Sequence, residues 1–445
     1  MANERPNFVI FYTDDQGYGD LSCMGATDFR TPHLDAVAAS GVRFTDWYSN
    51  SPVCSPSRAS VLTGRYPVHA GVRSILGGHR QATGLHPEVP TLSSELRQLG
   101  YRTAMFGKWH LGVTEECRPH RHGFDEWFGF MAGCIDYYSH IFYWGMGGKY
   151  DPVHDLWENG REIWENGRYF TELITERAVG WLSRVAAEEK PFLLFVPYNA
   201  PHYPMHAPRR YLDRFPDLPP DRRIMAAMLS AVDDSVGEIL ETLGANGLRD
   251  NTLVFFQSDN GPSRETRNWL DGTSDPYYGG SAGKLKGHKF SLYEGGIRMP
   301  ALMSWPAQIP SGQVIGEVGA AMDIFPTFLT AAGGSLRGHA LDGKSVLPMV
   351  TDGAPSPHER LFWEQGNQTA VRQGPWKLVL KGQLVEGAPP EDDVHLANLS
   401  LDMGERTNLR EAHRALAAEL RAAAEVWRAD IDAHWDTVWA PRSAQ

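Results

Sequence analysis

Four short apolar runs in this chain each end in a cluster of reactive side chains, and that recurrence restricts the available folds more than any other feature. Residues 7–12 are apolar and β-prone, and they run into Thr13-Asp14-Asp15-Gln16-Gly17. Residues 101–106 deliver Gly107-Lys108-Trp109-His110-Leu111-Gly112, and residues 191–196 precede Pro197-Tyr198-Asn199-Ala200-Pro201-His202. Residues 251–256 end in Gln257-Ser258-Asp259-Asn260-Gly261. Runs of this kind read as buried strands. Helical signals fill the intervals. Leu34, Val37 and Ala38 follow Thr31-Pro32, residues 92–100 close on a glycine, and Met225, Met228, Leu229, Val232, Val236 and Ile239 recur at helical spacing within residues 222–243. Strands alternating with helices, with chemistry at the carboxyl ends, predict a doubly wound α/β sheet whose ligands collect at that edge.

Two adjacent carboxylates at a strand end need a cation, and the hard oxygens of Asp14 and Asp15 suit calcium or magnesium. Asp259 and Asn260 offer oxygen ligands from another strand end. A further loaded stretch is Pro52-Val53-Cys54-Ser55-Pro56-Ser57-Arg58-Ala59-Ser60-Val61-Leu62-Thr63-Gly64. Ser55-Pro56-Ser57 is a helix-start sequence, because proline suits a first turn and serine a cap. Cys54 then sits at a positive helix end, where a tetrahedral anion can be held.

This stretch resembles the signature of type I sulfatases, within the alkaline phosphatase superfamily. In that family the cysteine of Cys-x-Pro-x-Arg is oxidised to formylglycine, whose hydrated aldehyde attacks the sulfur of a sulfate ester. Cys54, Pro56 and Arg58 fit the pattern together, as do Val61 and Leu62 before Thr63-Gly64. Asp14-Asp15 matches the family's first metal segment, and Gly107-Lys108-Trp109-His110 looks like its second signature, with Phe106 standing where smaller aliphatic residues are usual. The segment 284–300 resembles the family's Gly-x-Lys run before Tyr-Glu-Gly-Gly. Its offset from Tyr293 selects Lys289, with Lys284 and Lys286 as competitors, and assigns Glu294 and Arg298 to holding the loop. The Pro-His context selects His202, with His206 as the competing residue.

The resemblance implies one calcium ion bound by Asp14, Asp15, Asp259, Asn260 and an oxygen of modified Cys54, an all-oxygen shell that favours calcium over zinc. It implies catalytic roles for Cys54, Arg58, Lys108, His110, His202 and Lys289, and maturation by a formylglycine-generating or sulfatase-maturating enzyme. Asp259 is the expected proton acceptor, His202 or Lys289 the expected proton donor to the leaving alcohol, and His110 the expected base in sulfate release. Lys108 and His110 alternate along an expected extended segment, which turns both to one pocket and Trp109 away. The implied reaction is hydrolysis of a sulfate monoester of a carbohydrate or an aryl alcohol. A phosphonate monoester or phosphodiester hydrolase of the same superfamily, and an unmodified pseudoenzyme binding sulfated glycans, are the rival readings.

The implied fold is an alkaline-phosphatase-like α/β/α sandwich over residues 1–350 with a smaller C-terminal α+β domain over 351–445, an antiparallel sheet plus a helix. Pro- and Gly-rich residues 351–357 read as the linker. Short alternating strands follow at 361–364, 369–372, 376–380 and 395–399, then an amphipathic helix over 411–427. The insertion 127–169 holds Trp127, Phe128, Tyr137, Tyr138, Tyr143, Trp144, Trp157 and Trp164, which pack an insertion's own core more often than they stack on sugars. Its segment 133–140 is reminiscent of the corresponding loop of N-acetylgalactosamine-4-sulfatases (arylsulfatase B). His120 and His122 are expected at the surface, as are Asp233 and Asp234.

At 445 residues the chain exceeds one compact core, and its net charge of −12 argues against nucleic acid or an anionic membrane as the main partner. Four cysteines are too few for a disulfide scaffold, and the N-terminus shows no secretory leader. A cytoplasmic protein is the simplest expectation, or a periplasmic or secreted one if a leader has been removed.

Overall fold

The computed structural model describes residues 5–142, 152–188, 190–268, 273–276 and 278–443; Tyr143 and Trp144 of the insertion lie outside them. Among the described residues, ten strands form one mixed sheet. In chain order they are β1 (Asn7–Thr13), β2 (Val42–Phe44), β3 (Arg102–Lys108), β4 (Glu126–Phe130), β5 (Trp157–Glu158), β6 (Arg161–Glu162), β7 (Phe192–Pro197), β8 (Thr252–Ser258), β9 (Ala301–Ser304) and β10 (Gln313–Ile315). Their spatial order is β10-β2-β9-β8-β1-β7-β3-β4-β5-β6. The centre, β8-β1-β7-β3-β4, is parallel throughout, with Val9 facing Leu194 on one side and Val254 on the other. Parallel neighbours bring the carboxyl ends of these strands to one edge. All four expected site-bearing strands are among them.

Alternation of side chains sends each strand's apolar residues to two cores. Phe8, Ile10 and Tyr12 pack with helices α2 (Cys54–Thr63), α3 (Leu92–Gln98) and α6 (Ile324–Ala331) on one face. Val9 and Phe11 pack with α1 (Pro32–Ala39), α4 (Phe170–Val185) and α5 (Pro220–Ala245) on the other. Each large apolar side chain buried this way contributes roughly 1.5–3 kcal/mol before entropy is charged against it. The methionine stripe of α5 is core, with Met225 and Met228 buried.

A second sheet is antiparallel: β11 (Arg360–Gln365), β12 (Gln368–Gln373), β13 (Trp376–Leu380) and β14 (Val394–Asn398), in that order. One face covers helix α7 (Arg414–His434) through Val371, Leu378, Leu396, Leu420 and Ala424. The other face packs Trp363, Ala370 and Val379 onto Tyr48, Leu292, Tyr293 and Ile297 of the large sheet's loops. A buried ionic knot joins the two. Lys377 lies 2.8 Å from Glu294 and 3.2 Å from Glu405, and Glu294 lies 3.0 Å from Arg298. Glu294 and Arg298 hold the loop as expected from the sequence.

Two surface assignments are corrected. His122 is 1 % exposed and lies against the Trp109 ring, so it belongs to the core beneath the second signature, while His120 remains part-exposed beside Glu115. Asp233 is buried because its carboxylate accepts the free backbone N–H groups of His33 and Leu34 at the start of α1, 3.1 and 2.8 Å away. Asp234 is part-exposed and pairs with Arg214. Of the insertion's aromatics, Trp127, Phe128, Tyr137 and Trp157 are core and Trp164 is exposed.

Removing one member of a buried ion pair strands its partner, so Lys377→Ala should cost about 3–5 kcal/mol in urea unfolding. A loss below about 1 kcal/mol, the range of an exposed pair, would contradict this role.

Candidate active site

The first helix turn of α2 is built around the missing N–H of Pro56, which occupies a position where an amide would have no helical acceptor. The Ser57 hydroxyl donates to the carbonyls of Val53 and Ser51, both at 2.8 Å, and fixes the approach to Cys54. Cys54 is the first helical residue and lies at the carboxyl edge of the sheet. Burial pushes its thiol up to about 11, despite the nearby positive charges of Lys108 and Lys289. A neutral thiol is a poor nucleophile at physiological pH.

Arg58, one turn further on, ties the strand ends together. Its guanidinium lies 3.0 Å from Asp259 and 3.6 Å from Asp14, and donates to the Lys108 carbonyl at 3.1 Å. Lys108, the last residue of β3, places its ammonium 2.5 Å from Asp14. The Asp15 N–H donates to Asp259 at 3.1 Å, and the Asn260 amide donates to Asp15 at 2.6 Å. Asp14, Asp15, Asp259 and Asn260 therefore converge from β1 and β8. The Asp14, Cys54 and Asp259 ligand atoms lie within 4.8 Å of one another.

Opposed charges at such distances in a dry interior decide the ionisation of the pair Asp14 and Asp259. Burial penalises the Asp14 carboxylate, but Lys108, His202 and Arg58 outweigh it and hold the group below the usual carboxylate range. Burial first, then the Asp14 charge, push Asp259 up to about 8. Two buried oxygens, Asp14 Oδ1 and Asn260 Oδ1, have no hydrogen-bond partner. Unpaired acceptors in a buried carboxylate cluster are what an oxygen-seeking divalent cation satisfies. The residues fit such an ion.

Lys289 sits opposite, 3.1 Å from Asp15 and 2.8 Å from Glu265. Its loop is clamped on both sides: the Lys289 N–H donates to Pro262 and the Phe290 N–H donates to Pro52, each at 3.0 Å. Gly261 permits this closeness, since a Cβ there would lie 1.9 Å from the Gly295 carbonyl oxygen. Of the competing lysines, Lys284 is exposed and Lys286 pairs with Glu391. His202 points its Nε2 at Lys289 Nζ, 3.4 Å away, while Nδ1 lies 2.7 Å from the Tyr203 carbonyl and so carries the proton. His206 lies apart, beside Asp136. The Tyr137 hydroxyl donates to the carbonyls of Asn199 and His202, fixing this loop.

His110 differs from the extended placement expected of it. Its φ of 54° is left-handed, so the chain turns rather than alternating at this residue. Trp109 still faces away, donating to the Cys117 carbonyl, while the His110 Nε2 meets the Leu76 carbonyl at 3.1 Å and Nδ1 is buried without a partner. Burial, with Lys108 and Arg58 nearby, keeps the ring neutral. Asp15 and Phe290 are also left-handed, a clustering of backbone strain found at functional centres. Glu265 was not selected by any motif; only its contact with Lys289 reveals it.

A sequence model of the Sulfatase family matches residues 6–335. N-acetylgalactosamine-6-sulfatase of Mus musculus is 34% identical over 413 residues, covering 85% of this chain and 72% of that protein. Arylsulfatase A of Homo sapiens is 32% identical over 443 residues, covering 91% and 83% respectively. The crystal structure of Ps i-CgsB is similar with a TM-score of 0.86 at 30% identity, covering 98% of this chain and 94% of the other. It has also been solved in complex with k-i-k-neocarrahexaose.

Arg58→Met leaves Asp14 and Asp259 facing each other without their shared guanidinium. In a chelator the loss of stability should reach about 3–5 kcal/mol, and added calcium should shrink it by binding the folded state. A thermal-melt deficit unaffected by calcium would contradict the shared-charge arrangement.

Proposed function

The chain belongs to the sulfatase family and is a sulfuric ester hydrolase with the alkaline-phosphatase-like fold, and on that premise we propose that its reaction runs at Cys54 on a sulfated carbohydrate. The charge balance of the site carries the reading. Among the described residues, four carboxylates, Asp14, Asp15, Asp259 and Glu265, surround three cationic side chains, Arg58, Lys108 and Lys289. A divalent ion, by keeping Asp259 ionised despite its burial, would leave the site with a single positive excess, which the single negative charge of a sulfate monoester cancels.

Asp14, Asp15, Asp259, Asn260 and an oxygen at position 54 are the residues that would hold calcium, which supplies positive charge against the ester's non-bridging oxygens. Conversion of Cys54 to formylglycine by a maturating enzyme would supply a hydrated aldehyde, with one hydroxyl for attack and a second for sulfate release. The surrounding residues divide the remaining work. Arg58 and the start of α2 stabilise negative charge at position 54. Asp259, which lies beside position 54 and is paired with Arg58, accepts a proton there. Lys108 and Lys289 hold the sulfate oxygens. Lys289 protonates the leaving alcohol, with His202, its proton on Nδ1, presenting Nε2 to that ammonium, and neutral His110 takes the proton that accompanies sulfate release.

The sugar assignment is supported by relatives named N-acetylgalactosamine-6-sulfatase and by the complex of Ps i-CgsB with k-i-k-neocarrahexaose. A phosphonate monoester hydrolase of Agrobacterium radiobacter shares the fold at 19% identity and a TM-score of 0.66. Phosphonate monoesters carry the same single charge and are the rival substrates. No described helix is long and apolar enough to cross a membrane.

Intact mass of the active protein should fall about 18 Da below the encoded value, the loss on turning a thiol into an aldehyde, and Cys54→Ala should abolish turnover without unfolding. An active protein with an ordinary thiol, or an active alanine variant, would refute the nucleophile. Across sulfate, phosphonate and phosphodiester probes, sulfated saccharides should give the highest kcat/KM; a higher value on a phosphonate ester would move the assignment to the rival.

A further inference from the structure

Glu265 lies in the loop five residues beyond Asn260, and its carboxylate pairs with Lys289. Its side chain is 7 % exposed. Both oxygens are held: the Ser263 hydroxyl donates to Oε2 at 2.9 Å, and the Tyr203 hydroxyl reaches Oε1 at 3.4 Å. The Glu265 N–H donates in turn to the Ser263 hydroxyl at 3.0 Å, which closes a tight turn under the carboxylate. Lys289 is buried to the same degree as the metal-ligand aspartates, and it is flanked by Asp15 at 3.1 Å, Glu265 at 2.8 Å and His202 Nε2 at 3.4 Å.

The two carboxylates around this ammonium do different work. Asp15 belongs to the oxygen set that fits a divalent ion, so its charge is shared with that ion. Glu265 meets the ammonium from another side, with its carboxylate held by the Ser263 and Tyr203 hydroxyls, and balances and aims it. We propose that Glu265 is a positioning residue that fixes the Lys289 ammonium beside the bridging oxygen of the substrate, suiting the site to esters of poorly acidic alcohols such as sugar hydroxyls. This rests on the sulfatase reading above. As the S–O bond to the leaving group breaks, its electron pair stays on the leaving oxygen, which takes a proton from Lys289. The less acidic the alcohol, the more the step depends on a donor held in line.

The test is a leaving-group series. Wild type, Glu265→Gln and Glu265→Asp are assayed on 4-nitrophenyl, phenyl and 4-methoxyphenyl sulfate, with calcium affinity measured by calorimetry. Glu265→Gln should lose on the order of 10²-fold more in kcat on the two less acidic phenols than on the acidic nitrophenol ester. Glu265→Asp, which keeps the charge, should fall between. Calcium affinity should be unchanged in both. An equal loss on all three esters, or no loss on any, overturns the proposal, because a structural defect or an idle residue has no leaving-group dependence. Loss of calcium affinity also overturns it, by placing Glu265 in the ion's own shell. Absence of wild-type turnover on all three esters and on sulfated saccharides would instead defeat the underlying sulfatase reading.

Discussion

The contact between the Arg58 guanidinium and the two carboxylates of Asp14 and Asp259 is the constraint on which the rest of this structure depends. Both acids are fully buried at strand ends, where an uncompensated charge costs several kcal/mol. Arg58 is equally buried, and its helix begins at the cysteine. The pairing therefore fixes the start of α2 against β1 and β8. It sets Cys54 beside the oxygen cluster rather than elsewhere on the sheet edge. Lys108 enters the same arrangement from β3, with its carbonyl on Arg58 and its ammonium on Asp14. One electrostatic knot thus positions a helix end and three strand ends at once.

Such a knot tolerates little movement, and its surroundings are correspondingly stiff. The loop carrying Lys289 is clamped between Pro52 and Pro262, and the second sheet braces it from behind through Tyr293 and the Glu294–Lys377 pair. The smaller sheet acts on the site through this support. Preorganisation of this kind is what lets fixed charges stabilise a charge that develops only during reaction.

The fold was legible because its central strands are buried on both faces and so appear as unbroken apolar runs, each followed by polar residues at the parallel edge. Cys54, Arg58 and the paired acids could be read because their chemistry needs fixed local spacing. Residues defined by tertiary contact could not. Glu265 is reached only through Lys289, with no spacing rule to Asn260. Asp233 looks like a solvated helix residue until α1 presents two unpaired N–H groups to it. His122 reads as a surface histidine, yet Trp109 turns inward and the imidazole fills the space beside it. The left-handed turn at His110 was equally hidden, since the alternation expected for an extended segment carries no record of φ.

Charge explains why the parts belong together. The carboxylates outnumber the cationic side chains by one, and two ligand oxygens have no partner. One divalent ion resolves both facts. The most direct test is a crystal structure of the purified protein grown with calcium, with anomalous scattering used to locate the ion. The account expects a single peak about 2.3–2.6 Å from oxygens of Asp14, Asp15, Asp259 and Asn260, with continuous density to the side chain at position 54. A peak elsewhere, or none at saturating calcium with Lys108 and Arg58 still seated on Asp14, would contradict it.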